Sequence, residues 1–180
     1  MLAVFASGSG TTLQTLIDSQ SACHYHVSMV VVNRPCLAQQ RAEDAQIVTL
    51  LSKDWHEIDQ QLTQQNIQLI VLAGFLAILP QWFCEKWDRK IINIHPSLLP
   101  KFGGKGMYGL RVHEAVLAAD EQQSGCTIHY VSAEIDGGAI LAQSTVLVMP
   151  DDTPETLAQR VQQAEKNLLP QVIGDLIHNR

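Results

Sequence analysis

Three side chains in this sequence are of a kind and spacing that could act on a carbonyl group. Asn93 and His95 stand two apart in Ile91-Ile92-Asn93-Ile94-His95-Pro96-Ser97-Leu98-Leu99-Pro100. In an extended chain such residues point to one face. An amide and an imidazole converging at a strand end can hydrogen-bond a carbonyl oxygen and stabilise the negative charge it develops. A histidine also moves protons near neutral pH. The third side chain is Asp136, in Ser132-Ala133-Glu134-Ile135-Asp136-Gly137-Gly138. Aspartate followed by two glycines suits a sharp loop that brings a carboxylate against another element. Beside His95 it would favour the imidazolium, and it could collect a proton from an attacking amine, directly or through water. Taken singly, the histidine and the aspartate are better explained by a structural use: a histidine satisfying a backbone carbonyl, an asparagine or an aspartate shaping a turn.

A second chemical feature is Ser7-Gly8-Ser9-Gly10-Thr11-Thr12, between a first strand and a first helix. Glycines permit a tight turn there, and free N–H groups at a helix start attract anions. A dinucleotide site would need a third glycine where the chain has Leu13, and an acidic residue near the end of the second strand, which reads Val32-Asn33-Arg34. No Gly-Lys-Ser/Thr follows, so a Walker A loop is excluded. A phosphate monoester or other small anion remains, with a plain tight turn as the alternative.

These groups need a scaffold, and the chain reads as one. Short Val-, Ile- and Leu-rich runs at 2–6, 27–32, 47–50, 69–73 and 91–94 alternate with helical patterns at 11–18, 37–45, 55–65 and 81–87. Runs without polar alternation suit strands buried on both faces of a parallel sheet. The repetition implies an open α/β sheet, mostly parallel, flanked by helices, with right-handed crossovers. A helix is expected over 112–119, then strands at 127–131 and 139–148 forming an antiparallel edge pair. Thr153 suits an N-cap with Pro154 at the first helical position. Leu157, Val161, Ala164 and Leu168 then share a helical face. Ligands of open α/β sheets sit outside the carboxyl ends of the strands, where Asn93 and His95 fall. The two prolines after them help fix the path of the turn.

The chain has 180 residues, the size of one domain, expected to span 1–180. A net charge of −6 argues against a general nucleic-acid binder and leaves a local anion site open. No apolar run approaches the roughly 20 residues that span a bilayer, and the opening Met1-Leu2-Ala3-Val4-Phe5 has no basic lead-in. Cys23, Cys36, Cys84 and Cys126 form no C-x-x-C pair. They read as reduced thiols of a cytoplasmic protein, and no cluster has zinc spacing.

Taken together, these motifs resemble the folate-dependent phosphoribosylglycinamide formyltransferase family. Its Asn-x-His-Pro-Ser-Leu-Leu-Pro segment is Asn93–Pro100, its Leu-Ala-Gly-Phe is Leu72–Phe75, its Asp-Gly-Gly is Asp136–Gly138, and its Ser-Gly-x-Gly loop is Ser7–Gly10. The match runs from about Ala3 to Pro170, in family order. It implies a Rossmann-like fold and transfer of a formyl group from 10-formyltetrahydrofolate, a co-substrate, to the amine of glycinamide ribonucleotide in purine biosynthesis, without a metal. On that resemblance Asn93 and His95 hold the formyl oxygen, while Asp136 keeps His95 cationic and helps remove the amine proton. Gly10, Thr11, Thr12, Pro96 and Glu165 bind the ribonucleotide, Glu165 through the ribose hydroxyls. The folate lies against Phe75, Leu76, Leu79, Asn93, Ala133 and Asp136.

The chain departs from the family pattern at Thr12, usually Asn, and at Ala77, often basic. Its Lys101–Gly109 segment is an extended Gly-Gly-Lys-Gly-Met-Tyr-Gly variant whose glycines suit a mobile loop or lid. His113 and His129 match positions often histidine, with no role assigned. The formyl-folate hydrolase usually has histidine at Pro96 and a preceding regulatory domain; the tRNA enzyme adds an RNA-binding domain. An amino sugar nucleotide as acceptor and a non-catalytic folate- or nucleotide-binding protein are the competing readings. Small-molecule partners are expected, with no nucleic acid and no membrane, in a monomer or homodimer.

Overall fold

The computed structural model describes residues 1–178, so residues 179 and 180 of the expected domain lie outside the described residues. Strands β1 (Leu2–Ala6), β2 (Val27–Val32), β3 (Val48–Leu51), β4 (Leu69–Leu72) and β5 (Ile91–His95) alternate with helices α1 (Thr11–Ser19), α2 (Leu37–Asp44), α3 (Trp55–Gln64) and α4 (Gln81–Lys86). Then come α5 (Leu110–Ala118), β6 (Gln123–Tyr130), β7 (Ile140–Leu147) and the long α6 (Pro154–His178). The strands form one sheet in the order β3-β2-β1-β4-β5-β6-β7. The first five are parallel; β6 runs antiparallel to β5 and β7 antiparallel to β6.

Two apolar layers hold the sheet between its helices. Val4, Val30 and Ile92 pack with Leu13 and Leu16 of α1 and Leu157 and Val161 of α6. On the other face Phe5, Met29 and Ile70 pack with Ile58 and Leu62 of α3 and Phe83 of α4. Expected and observed elements agree closely along the parallel half. β3 is the exception in character: as an edge strand it leaves Val48 and Leu51 about half exposed and is not covered on both faces.

β6 begins four residues earlier than the expected Thr127. Gln123-Ser124-Gly125-Cys126 lacks the β-branched residues that mark strands, yet it pairs with β7 in register. Gly125 is required there for space, because a Cβ would lie 2.0 Å from the Ser144 carbonyl oxygen. At α6, Thr153 Oγ1 accepts from Thr156 N at 3.3 Å while Thr156 Oγ1 accepts from Thr153 N at 2.9 Å. This reciprocal cap starts the helix as its sequence implies.

Strand order reverses between β2-β1 and β4-β5, so the loops after β1 and β4 part at the carboxyl edge of the sheet. Such a switch point is where open α/β sheets bind ligands.

Candidate active site

A cavity of about 680 Å³ opens at this edge. The glycine loop, the segment after β4, the end of β5, loop 104–110, loop 131–136 and one face of α6 all line it. Gly10, Thr11, Thr12, Pro96 and Glu165, and likewise Phe75, Leu76, Leu79 and Ala133, all border the same space as Asn93, His95 and Asp136.

The glycine loop is built to present N–H groups. The Ser7 carbonyl accepts from Arg34 Nε at 2.7 Å, the Gly8 carbonyl from Ala38 N at 3.1 Å, and the Ser9 carbonyl from Arg41 Nε at 2.9 Å. With these carbonyls turned toward α2 and the arginines, planarity of the trans peptide turns the N–H groups of Gly8, Ser9 and Gly10 away from them, in a loop that lines the cavity. Gly10 precedes α1 at φ 71, in the left-handed region, and a Cβ on it would come 2.7 Å from Ala38 Cα. Glycine is therefore required twice over, by conformation and by packing. Ser7 Oγ accepts from Leu76 N at 3.0 Å, which ties this loop to the apolar lip after β4. Phe75 stands edge-on to Phe5, with ring centroids 5.3 Å apart, and is fixed from below by the core.

Asn93 and His95 lie on one side of β5, and His95 is only 4% exposed. Its Nε2 lies 2.8 Å from the Phe102 carbonyl oxygen. A carbonyl only accepts, so Nε2 carries the hydrogen. That leaves Nδ1 for Asp136, whose Oδ2 is 3.6 Å away. His129 stands directly opposite Asn93 in the antiparallel β5–β6 register, and opposed side chains on one face meet. Its Nδ1 donates to its neighbour's carbonyl, Tyr130 O, at 2.9 Å. Its Nε2 lies 3.1 Å from Asn93 Nδ2, a contact that engages at most one of the two amide hydrogens of Asn93 and leaves the other for a ligand.

Asp136 sits at φ 54, a left-handed conformation that aspartate tolerates. Its Oδ1 is 3.6 Å from His129 Nε2, and its Oδ2 accepts from Gly104 N at 2.9 Å. Burial pushes its carboxyl up, but His129, the Gly104 N–H and the charge of His95 outweigh burial and hold it below the usual carboxylate range. Gly138 admits no side chain, since a Cβ would fall 1.7 Å from the Tyr130 carbonyl oxygen. The loop therefore turns tightly enough to deliver Asp136 to the imidazoles.

Two further groups complete the lining. Glu165, with Ala158, Val161 and Gln162 on the same face of α6, borders the cavity, and burial raises its carboxyl to about 7. His113 on α5 is 4% exposed; burial first, then the charge of His95, lowers its pKa, and its Nδ1 has no hydrogen-bond partner. His129 and His113 both border the cavity; the sequence pointed to them only through the family resemblance, which assigned them no role. Among the described residues, no group of three or more His, Cys, Asp or Glu is arranged to hold a metal ion, and no helix is long and apolar enough to cross a membrane.

The arrangement offers an amide hydrogen and an imidazole to a carbonyl oxygen, a carboxylate beside them, and a glycine loop at a helix start along the same cavity. That is the equipment of an acyl- or formyl-transferring enzyme on an open α/β sheet. Comparison with known proteins agrees. A family model described as formyl transferase matches residues 1–173. Phosphoribosylglycinamide formyltransferase of Haemophilus influenzae is 36% identical over 96% of this chain and 84% of its own length. The crystal structure of phosphoribosylglycinamide formyltransferase from Anaplasma phagocytophilum superposes with a TM-score of 0.91 at 36% identity, covering 99% of this chain and 87% of that one. The trifunctional purine biosynthetic protein adenosine-3 of Drosophila melanogaster is 38% identical over 98% of this chain, which spans 14% of that protein's length. The chain belongs to the phosphoribosylglycinamide formyltransferases, within the formyl transferase family.

Proposed function

We propose that this chain transfers the formyl group of 10-formyltetrahydrofolate to the amine of glycinamide ribonucleotide, giving formylglycinamide ribonucleotide and tetrahydrofolate. The observation that carries this reading is that Asn93, His95, Asp136 and the glycine loop face one cavity. The ribonucleotide phosphate lies against the N–H groups of Gly10, Thr11 and Thr12, where the helix end favours an anion. Its ribose hydroxyls reach Glu165, and Pro96 bounds its glycinamide end. The folate rings lie between Phe75, Leu76 and Leu79 on one side and Ala133 to Asp136 on the other. Four free cysteines suit a reducing compartment, and we take the setting as cytosolic.

The amine nitrogen attacks the formyl carbon, and the carbonyl electron pair moves onto oxygen. The free amide hydrogen of Asn93 and the Nδ1 hydrogen of protonated His95 stabilise that oxyanion. Asp136 stabilises the imidazolium and takes the proton released by the amine, directly or through water. Collapse of the tetrahedral intermediate breaks the bond from the formyl carbon to folate N10, which receives the proton. Bonds and charges then balance, with no other reactant.

Asp136→Asn tests this assignment. Transfer followed through folate absorbance should fall about 10²- to 10⁴-fold in kcat, the scale on which general acid–base groups contribute. KM for glycinamide ribonucleotide should change little, because the glycine loop and Glu165 are untouched. A kcat in the variant equal to that of the unaltered chain would remove Asp136 from the mechanism.

A further inference from the structure

The turn Phe102-Gly103-Gly104 touches both members of the His95–Asp136 pair, and it does so through its main chain. The Phe102 carbonyl accepts from His95 Nε2 at 2.8 Å. The Gly104 N–H donates to Asp136 Oδ2 at 2.9 Å. One short turn thus fixes which nitrogen of the neutral imidazole carries the hydrogen, how the ring faces when protonated, and which way the carboxylate faces. We propose that this turn is a positioning element of the formyl-transfer site, holding His95 Nδ1 opposite Asp136 Oδ2 and acting on the reaction through those two groups alone. The inference rests on the reaction proposed above.

The local chain is shaped for that task. Phe102 at φ 56 and Gly104 at φ 89 both adopt left-handed conformations. A residue with a side chain keeps such a conformation only where its surroundings impose it. Here the Phe102 side chain packs against the core, and Ser97 Oγ donates to the carbonyl of the preceding residue, Lys101, at 2.6 Å. Gly103 has no room for a side chain: a Cβ would lie 2.5 Å from Leu99 Cδ2 and 3.5 Å from Asp136 Cβ. The turn therefore lies directly on the Asp136 side chain. From Gly104 to Leu110 the same segment becomes a wall of the cavity. The main-chain donor to Asp136 is thus also the first residue of the wall that faces the substrates, which links occupancy of the cavity to the geometry of the pair.

Gly103→Ala and Gly104→Ala, made in the full chain, separate positioning from mere structure. The first crowds Leu99, which is buried; the second meets open space and disturbs only the backbone conformation. In both, kcat should fall by about tenfold or more, since displacement of a reacting group by an ångström has effects of this order. KM for either substrate should stay within about twofold, the pattern of a lost transition-state interaction. Nitrogen-15 NMR of the histidine rings, read at a pH where His95 is neutral, gives a second readout that needs no turnover: the unaltered chain should show the ring hydrogen on Nε2, and both variants should lose that signature. If the variants lower only the unfolding midpoint, with kcat and the ring tautomer unchanged, the turn is structural and the proposal is wrong. If the unaltered chain transfers no formyl group, the reaction fails, while the NMR signature still decides whether the turn holds the ring.

Discussion

Glu165 differs from Asp136 because the two carboxyls meet opposite surroundings. Asp136 has two imidazoles and a main-chain N–H around it and is held as a carboxylate. Glu165 has burial as its main influence, only partly offset by Lys166, and its pKa rises from 4.5 to about 7. The folded chain therefore holds this proton more tightly than the unfolded chain does. The associated stability is fully present below the unfolded value of 4.5 and is lost as pH rises through 7. Binding runs the other way, because ribose hydroxyls donate best to the ionised carboxylate. KM for glycinamide ribonucleotide should rise as pH falls from about 8 to 6, and Glu165→Gln should flatten that part of the profile. A KM independent of pH in the unaltered chain would take Glu165 out of ribose recognition. At this scale Asn93 and His95 were readable because an amide and an imidazole are unusual at the end of a buried strand, and Asp136 only because it stands in a motif found together with them. His129 was not, because its meeting with Asn93 depends on the β5–β6 register, which sequence does not display.

The element that positions the site is the turn after β5, and it is held by strands distant in sequence. Thr127 Oγ1 on β6 donates to the Ser97 carbonyl at 2.7 Å and accepts from Leu99 N at 3.0 Å and Gln143 Nε2 at 2.9 Å. One donor and two acceptor positions are all a hydroxyl has, so this fully buried group is saturated. Thr127→Val keeps the shape and leaves those partners unmet, which should cost about 2–4 kcal/mol in chemical denaturation. A loss below about 0.5 kcal/mol would show that water or a shifted turn replaces the hydroxyl. The motif Asn93–Pro100 is plain in the sequence, but its anchoring by Thr127 and Gln143 is not, for both read as ordinary polar strand residues.

At the scale of the whole molecule, the parallel half was legible because buried strands and amphipathic helices alternate with different periods. The antiparallel half was legible only in outline, since Gln123–Cys126 joins β6 through pairing and close packing rather than propensity. The docking of α6 is a whole-molecule matter, because that helix carries Glu165 back to the switch point. Arg160 clamps it there: Nη1 and Nη2 donate to the two Asp152 oxygens at 2.6 and 2.9 Å, and Nη1 also donates to the Leu147 carbonyl at the end of β7. Arg160 holds the Asp152 carboxyl well below its usual range. Arg160→Met should cost about 1 kcal/mol, as a bidentate pair near the surface does. For a chain of this size that corresponds to about 2–4 °C in the unfolding midpoint. An unchanged midpoint would place the docking of α6 in its apolar face alone.

The most direct measurement is the fate of the formyl group when the chain, 10-formyltetrahydrofolate and glycinamide ribonucleotide are mixed and the products are weighed by mass spectrometry, beside a mixture without the ribonucleotide. The account predicts formylglycinamide ribonucleotide in amount equal to the tetrahydrofolate formed, and no folate loss without the acceptor. Free formate at the same rate in both mixtures, or transfer to an amino sugar nucleotide and not to glycinamide ribonucleotide, would contradict it.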